Sequence, residues 1–398
     1  MKRSHFNKPL EFVILVAKIL GIVPLSSGPQ RKRVRVLLIL KQVLGFCGIV
    51  FICWLHFFHY SCTKIKFSYL SSTISSILNV GYNVLMCIGT YLISILYEKK
   101  YRSVSVVISS FDQSMESRVK SRKKISTVET IVFGLSVTFV LVILCVQFGH
   151  YFRNYRRNNF CILFTVLSLV ITTVVFLLNF VLLIGVSKRF KLLNKYFKSI
   201  IFLAVDYENS NVSLVRETEE CSKLCHMLMV TAELVNQIFE LFIAIDFMIF
   251  FCLLIFLIFY LSADNDTFRD RFPTKIEMYT MFFWTLVAFL KTVLTTYAFK
   301  SVATEANHYN RIVHSIRSES VIPKNLVTHY FFLNYPLSKT FKVITISHQL
   351  NFYSSQFTVF EMFPLEWSNL FTILVSAMMY SIFFLQLNGG KNYILFLS

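Results

Sequence analysis

Seven apolar runs divide the chain, at about 37–60, 69–97, 128–150, 159–186, 238–262, 276–299 and 366–387, and each is long enough to cross a bilayer as a helix. The pattern predicts an all-α, polytopic membrane protein with seven transmembrane helices. The connections alternate in length: about a dozen residues or fewer after spans one, three and five, and roughly 30 to more than 60 after spans two, four and six. The long ones are patterned. From Lys191 to Val205 and from Ser213 to Phe239, apolar residues recur at spacings of three and four, so spans four and five are expected to continue as helices beyond the membrane. Leu326 to Phe360 is rich in Phe and Leu, a composition that suits buried helix contacts better than a polar surface.

The last run has its own internal order. Leu370 to Leu387 holds no charged side chain and is preceded by Phe363-Pro364 and Trp367. Within it Thr372, Ser376, Met379, Phe383 and Gln386 follow one another at spacings of four and three, which places them on one stripe of a helix, the most polar stripe available. Gln386 is costly in lipid unless a partner helix or water meets it. Several copies arranged about an axis would supply water and make the stripe a pore lining; a neighbouring helix would make it a hydrogen-bonding packing face. The other side, Leu374, Ile382 and Leu385, is purely apolar.

Charge orients the helices. The chain carries 40 Lys and Arg against 21 Asp and Glu, a formal net charge of +19. Nucleic acid is not the implied partner, because the basic residues lie in clusters between apolar runs. The N-terminal segment and the second, fourth and sixth connections hold eight, eight, seven and six of them, 29 together, against nine on the other side. The rule that basic loops stay inside therefore predicts a cytoplasmic N-terminus and an extracellular C-terminus. The division that follows is a cytoplasmic segment 1–36, six spans over 37–299 with cytosolic helix extensions, a cytoplasmic segment 300–365, the last span 366–387 and an extracellular tail 388–398. Asn265-Asp266-Thr267 then lies outside and is a glycosylation acceptor, whereas Asn211-Val212-Ser213 lies inside.

Composition agrees: 55% hydrophobic residues, 15% charged and 43 Phe describe a membrane protein, with a mean hydropathy of +0.61. The nine cysteines lie mostly in apolar runs without disulfide-like spacing, and their odd number leaves at least one free. Cys221-x-x-x-Cys225-His226 has no second ligand pair at a useful distance, so packing is expected there and no metal site. Lys2-Arg3, the run from Leu10 to Pro24 and Ser26-Ser27-Gly28 imitate a signal peptide, but Lys18 interrupts the apolar core. An uncleaved amphipathic helix is expected instead.

Charged residues within spans are the candidates for function. At about 1.5 Å per residue, Asp246 of span five and Lys291 of span six lie at the same depth, roughly 12 Å from the inner end, and are expected to form an intramembrane ion pair that Glu240, deeper by over one turn, shares. Catalytic signatures are missing from the sequence: there is no Gly-x-Ser-x-Gly elbow and no His-Glu-x-x-His. His56, His59 and His150 fall at the outer ends of spans, where interfacial polar residues are common. Tyr260, Tyr279, Phe283 and Trp284, in the outer parts of spans five and six, combine aromatic walls with polar tips and suit either a ligand pocket or an interfacial belt.

The segment from Phe363 to Leu387 resembles the last transmembrane helix of insect gustatory receptors, which ends in Thr-Tyr, five mostly apolar residues and Gln-Phe. Tyr380 and Gln386 keep that spacing, Met379 stands for the Thr and Leu387 for the Phe. Leu20-Gly21-Ile22-Val23-Pro24 is similar to a Gly-x-x-Pro near the start of many family members. The resemblance implies a tastant-gated cation channel of the plasma membrane of chemosensory neurons, without a cofactor, in which four identical or different subunits meet through a cytosolic anchor. That anchor is built from extensions of spans four to six and the segment before span seven. It implies a small-molecule pocket among spans two to six, with Ser376, Met379, Phe383 and Gln386 lining the pore and Tyr380 bracing that helix against its own subunit. An olfactory-type member of the same superfamily and a secondary transporter are the alternatives. Against the transporter, no internal repeat is present and all seven prolines lie outside the span cores.

Overall fold

The computed structural model describes residues 8–20, 22, 70–116, 118, 159–206, 211–262, 275–317 and 357–395. The expected spans one and three, the three histidines named above, Asn265 and the stretch 318–356 lie outside the described residues. Within them the chain forms seven helices: α1 (Lys8–Ile19), α2 (Leu70–Leu96), α3 (Glu98–Glu116), α4 (Asn159–Asp206), α5 (Asn211–Ser262), α6 (Lys275–Arg317) and α7 (Trp367–Leu395). Three of these contain stretches long and apolar enough to cross a membrane, Leu167–Ile200, Glu219–Ile258 and Phe282–Ile312, and Val84–Leu96 and Trp367–Phe383 are shorter apolar stretches.

The three long helices exceed what a bilayer requires. With 48, 52 and 43 residues, α4, α5 and α6 extend about 72, 78 and 64 Å, against a hydrocarbon core of about 30 Å. Lys191 to Val205 and Ser213 to Phe239 are helical without a break from the apolar spans, as their three-and-four periodicity predicts. That periodicity becomes a shared core. Phe190, Leu193 and Phe197 of α4, Leu228, Val235 and Phe239 of α5, and Val302, Ala306 and Tyr309 of α6 are all buried. Phe197 and Tyr309 meet with ring centroids 5.3 Å apart. Truncating either Phe197 or Phe239 to Ala would leave a cavity costing about 3–5 kcal/mol.

Around this trio the shorter helices fill the sides. Tyr97 forms a turn between α2 and α3, with its N–H still donating to Ile93 O at 2.8 Å. Amphipathic α3 buries Tyr101, Val104, Ile108, Phe111 and Met115 at helical spacing, and Tyr101 meets Phe239 edge to face. α1 is packed: Val13 and Ala17 are buried, and Tyr91 Oη donates to Leu20 O at 3.0 Å.

Among the described residues, the fold departs from an all-helical reading before α7. A hairpin of β1 (Thr358–Val359) and β2 (Phe363–Pro364) precedes α7, pairing Thr358 with Pro364 and Val359 with Phe363. Helix α7 begins when Glu366 O accepts from Asn369 and Leu370 N–H, and it runs past the expected end at 387 through Gly389-Gly390 to Leu395. Two glycines lower helix stability, by about 1 kcal/mol each, but they do not clash with a helix as a proline would.

Candidate functional site

Helix α7 lies along α5, and its two sides differ. Leu370, Ala377 and Ser381 are buried, with Ile373 and Leu374 half-buried beside them. The Ser381 hydroxyl donates back to Ala377 O at 2.7 Å and lies 3.5 Å from Ile255 O of α5. At about 100° per residue, the stripe of Ser376, Met379, Phe383 and Gln386 is centred about 160° from that packed face. Met379, Phe383 and Gln386 are exposed and Ser376 is half-buried. Tyr380 stands between the two sides, its ring edge to face with Phe251 of α5 at 5.9 Å. The purely apolar side of Leu374, Ile382 and Leu385 is not the packed one. Ile382 is exposed, Leu374 sits at the margin of the contact, and the Leu385 side chain lies outside the described residues.

The hairpin ties α7 to the bundle. From α5, Asn236 Nδ2 donates to Thr358 O at 2.9 Å, the Glu240 carboxylate accepts from Phe360 N–H, and Phe247 meets the Phe363 ring at 5.8 Å. From α6, Phe299 packs on Phe357 at 5.3 Å and Lys300 Nζ lies 3.9 Å from Glu366. Glu240 was expected to share Lys291. It is instead committed to the hairpin, because its side chain leaves α5 on the face that Asn236, one turn earlier, also turns to the hairpin.

Asp246 and Lys291 are brought together, but through a third residue. Tyr82 of α2 donates its hydroxyl to Asp246 Oδ1 at 2.6 Å and accepts from Lys291 Nζ at 3.3 Å. Both Tyr82 and Lys291 are buried. A phenol both donates and accepts, so it can join an acid to a base where helix rotation keeps the two from meeting directly. Sequence reading missed Tyr82: a tyrosine in an apolar run gives no signal of its partners.

The helix extensions carry further polar ties. Arg189 grips Asp112 of α3 with two bonds, Nε to Oδ1 at 2.9 Å and Nη2 to Oδ2 at 2.7 Å, while Nη1 donates to Gly185 O. Arg118 pairs with Glu217 and Glu220, and Tyr196 Oη donates to Glu217. Asn194 donates to Glu305 of α6, and Ser187 bonds Ser301. Burial raises the pKa of the Tyr101 phenol, which stays neutral in its apolar setting. Cys221 and Cys225 are buried in the core.

The aromatic pocket candidates differ in exposure. Trp284 packs against the cluster of Leu169 of α4 and Val287 of α6, whereas Tyr279 and Phe283 are exposed, Phe283 forming a T-shaped pair with Phe282. The Tyr260 side chain lies outside the described residues.

Helices long and apolar enough to cross a bilayer and to continue past it, with a last helix that leaves its most polar stripe exposed, define a multi-span membrane protein. The chain belongs to the 7tm chemosensory receptor family, which it matches over residues 10–387. The likeness to insect chemoreceptors at the last helix thus extends along nearly the whole sequence. Among solved structures, it is similar to the insect olfactory receptor OR5 from Machilis hrabei in complex with eugenol, at 13% identity and a TM-score of 0.62, covering 96% of this chain and 99% of that one. A second structure of the same receptor matches at 14% identity and a TM-score of 0.59, over 96% and 100% of the two chains. At such identity the likeness speaks for the fold. No match was found among curated proteins.

Proposed function

We infer that the protein is a gustatory-type receptor acting as a tastant-gated cation channel in the plasma membrane of chemosensory neurons. One observation carries the reading: Met379, Phe383 and Gln386 form an exposed stripe opposite the packed face of the last helix, with Tyr380 and Gln386 at the gustatory spacing. A stripe ending in an amide is poorly suited to lipid, and water on the axis of four subunits, identical or mixed, would satisfy it. The N-terminus is then cytoplasmic and the C-terminus extracellular, and extensions of α4 to α6 form the inner anchor. A small-molecule tastant would enter an outward-facing pocket whose candidates are Tyr260, Tyr279, Phe283 and Trp284. It gates only by binding the open and closed states unequally. No cofactor is required.

An olfactory-type receptor is the second reading, favoured by the solved neighbours, one of which binds the small aromatic eugenol. Expression of the full chain with panels of sugars, bitter compounds and volatile aromatics, while membrane current is recorded, separates the two. Current evoked by volatile aromatics alone would favour the olfactory reading, and a complete lack of current from surface-labelled protein, alone or with co-expressed receptors of the family, would count against a channel.

A further inference from the structure

We propose that Glu240 is the positioning residue that latches the β1–β2 hairpin to α5 and thereby sets where the last helix begins. That the latch bears on gating rests on the channel reading; the latch itself does not.

The turn is unusual in its residues. Phe360 and Glu361 both adopt left-handed backbone angles, with φ of 49° and 59°, and neither is glycine. A side chain with a Cβ resists that region, so two in succession persist only when the surroundings hold them. Packing of the tip does not do so: Phe360 and Met362 are exposed. Part of the hold is the turn's own bond, Met362 N–H donating to Val359 O at 2.9 Å; the rest comes from α5, where the Glu240 carboxylate accepts from Phe360 N–H, at the first of the two left-handed residues and across 120 positions of sequence. A carboxylate acceptor makes this stronger than a bond between neutral groups.

Asn236, Glu240 and Phe247 follow at spacings of four and seven, so one face of α5 supplies three ties to the hairpin, beside the α6 contacts at Phe357 and Glu366. Below the turn, Val359 and Leu365 are buried, and Leu365 N–H donates to Phe357 O at 2.8 Å, closing the base. Glu366, the next residue, starts α7 with its carbonyl. Between the latch and the helix the backbone is tied: Met362 N–H donates to Val359 O at 2.9 Å, and Phe363, Pro364 and Leu365 are held by ring contact, strand pairing and burial. A displacement of α5 is therefore passed toward the first turn of α7, and loss of the Glu240 acceptor loosens that connection by removing one of its bonds.

The test uses the full chain carrying V359C, whose side chain is buried at the base of the hairpin, with the chain lacking that substitution as the background for native thiols. In detergent-solubilised protein, E240A should raise the rate of N-ethylmaleimide labelling at position 359 about tenfold, the factor that losing a bond to a charged acceptor implies. Adding F360G should lower it again, since glycine holds a positive φ without help. An unchanged rate in E240A overturns the latch. Should E240A fail to accumulate, E240Q answers the same question: a weaker, neutral acceptor gives an intermediate rate, and a wild-type rate overturns the proposal. In cells, E240A should alter ligand-free current per surface-labelled channel. Faster labelling with unchanged current would sever the latch from the pore. Faster labelling with no current from any chain, the unsubstituted one included, keeps the latch and counts against the channel reading.

Discussion

The Tyr82 hydroxyl donates to Asp246 Oδ1 at 2.6 Å, joining α2 to α5 across 164 residues, and the same oxygen accepts from Lys291 of α6. Removing it with Tyr82→Phe leaves Asp246 without its donor and should cost about 1–3 kcal/mol, read as a lower unfolding temperature in detergent. Lys291→Met should impair surface expression as well, and changing Asp246 and Lys291 together to apolar residues should partly restore it, because no charge is then left unpaired. Equal losses in the single and double variants, with Tyr82→Phe unfolding at the wild-type temperature, would mean that the three do not act as a unit.

Arg189 and Asp112 offer a test of the helix extensions. Their side chains are 12% and 15% exposed and share two parallel bonds, which a lysine ammonium cannot reproduce. Arg189→Lys should therefore destabilise the protein by about 2 kcal/mol and Arg189→Ala by about 3–5 kcal/mol. Gly185→Ala should do harm of the same kind, since its added Cβ would meet Arg189 Nη1 at 3.3 Å. Thermal unfolding of the three variants gives the order; a lysine variant as stable as the native protein would remove the case for bidentate geometry.

For the pore, the exposed stripe makes a sharp expectation. Phe383→Ser should raise ligand-free current by wetting an apolar constriction, and Gln386→Ala or Gln386→Glu should change relative permeability among cations. Cysteines at 379, 383 and 386 should react with thiol reagents from the open channel faster than cysteines at 370 and 377, which the structure buries. Similar rates at all five positions would remove α7 from the conduction path.

Topology can be read from sugar. If 29 basic residues mark the inner side, Asn265 is the position to carry a glycan and Asn211 is not. A mobility shift on glycosidase treatment that disappears in Asn265→Gln checks this; a shift that disappears in Asn211→Gln would invert the orientation.

Hydropathy and periodicity determined much of this protein. Runs of apolar residues marked the helices α2, α4, α5, α6 and α7, and three-and-four spacing carried α4 and α5 beyond the membrane, because a helix outside lipid must show one apolar face to be buried. Tyr380 and Gln386 pointed to the family through a spacing. Depth along a helix could also be counted, which placed Asp246 and Lys291 level with each other. Rotation about the axis could not, and so the sequence was silent on Tyr82 between them and misdirected Glu240, whose partner is a backbone N–H 120 residues away. The packed face of α7 was hidden for a related reason: lipid and protein interior are equally apolar, so Leu370 and Ala377 differ from Phe371, Met378 and Ile382 in contact and not in polarity. The hairpin before α7 was invisible because its two residues per strand carry no periodicity, and its left-handed turn uses Phe360 and Glu361 where glycine or asparagine would have announced it. Only the tertiary structure decided those contacts, since they are set by how neighbouring helices turn toward one another.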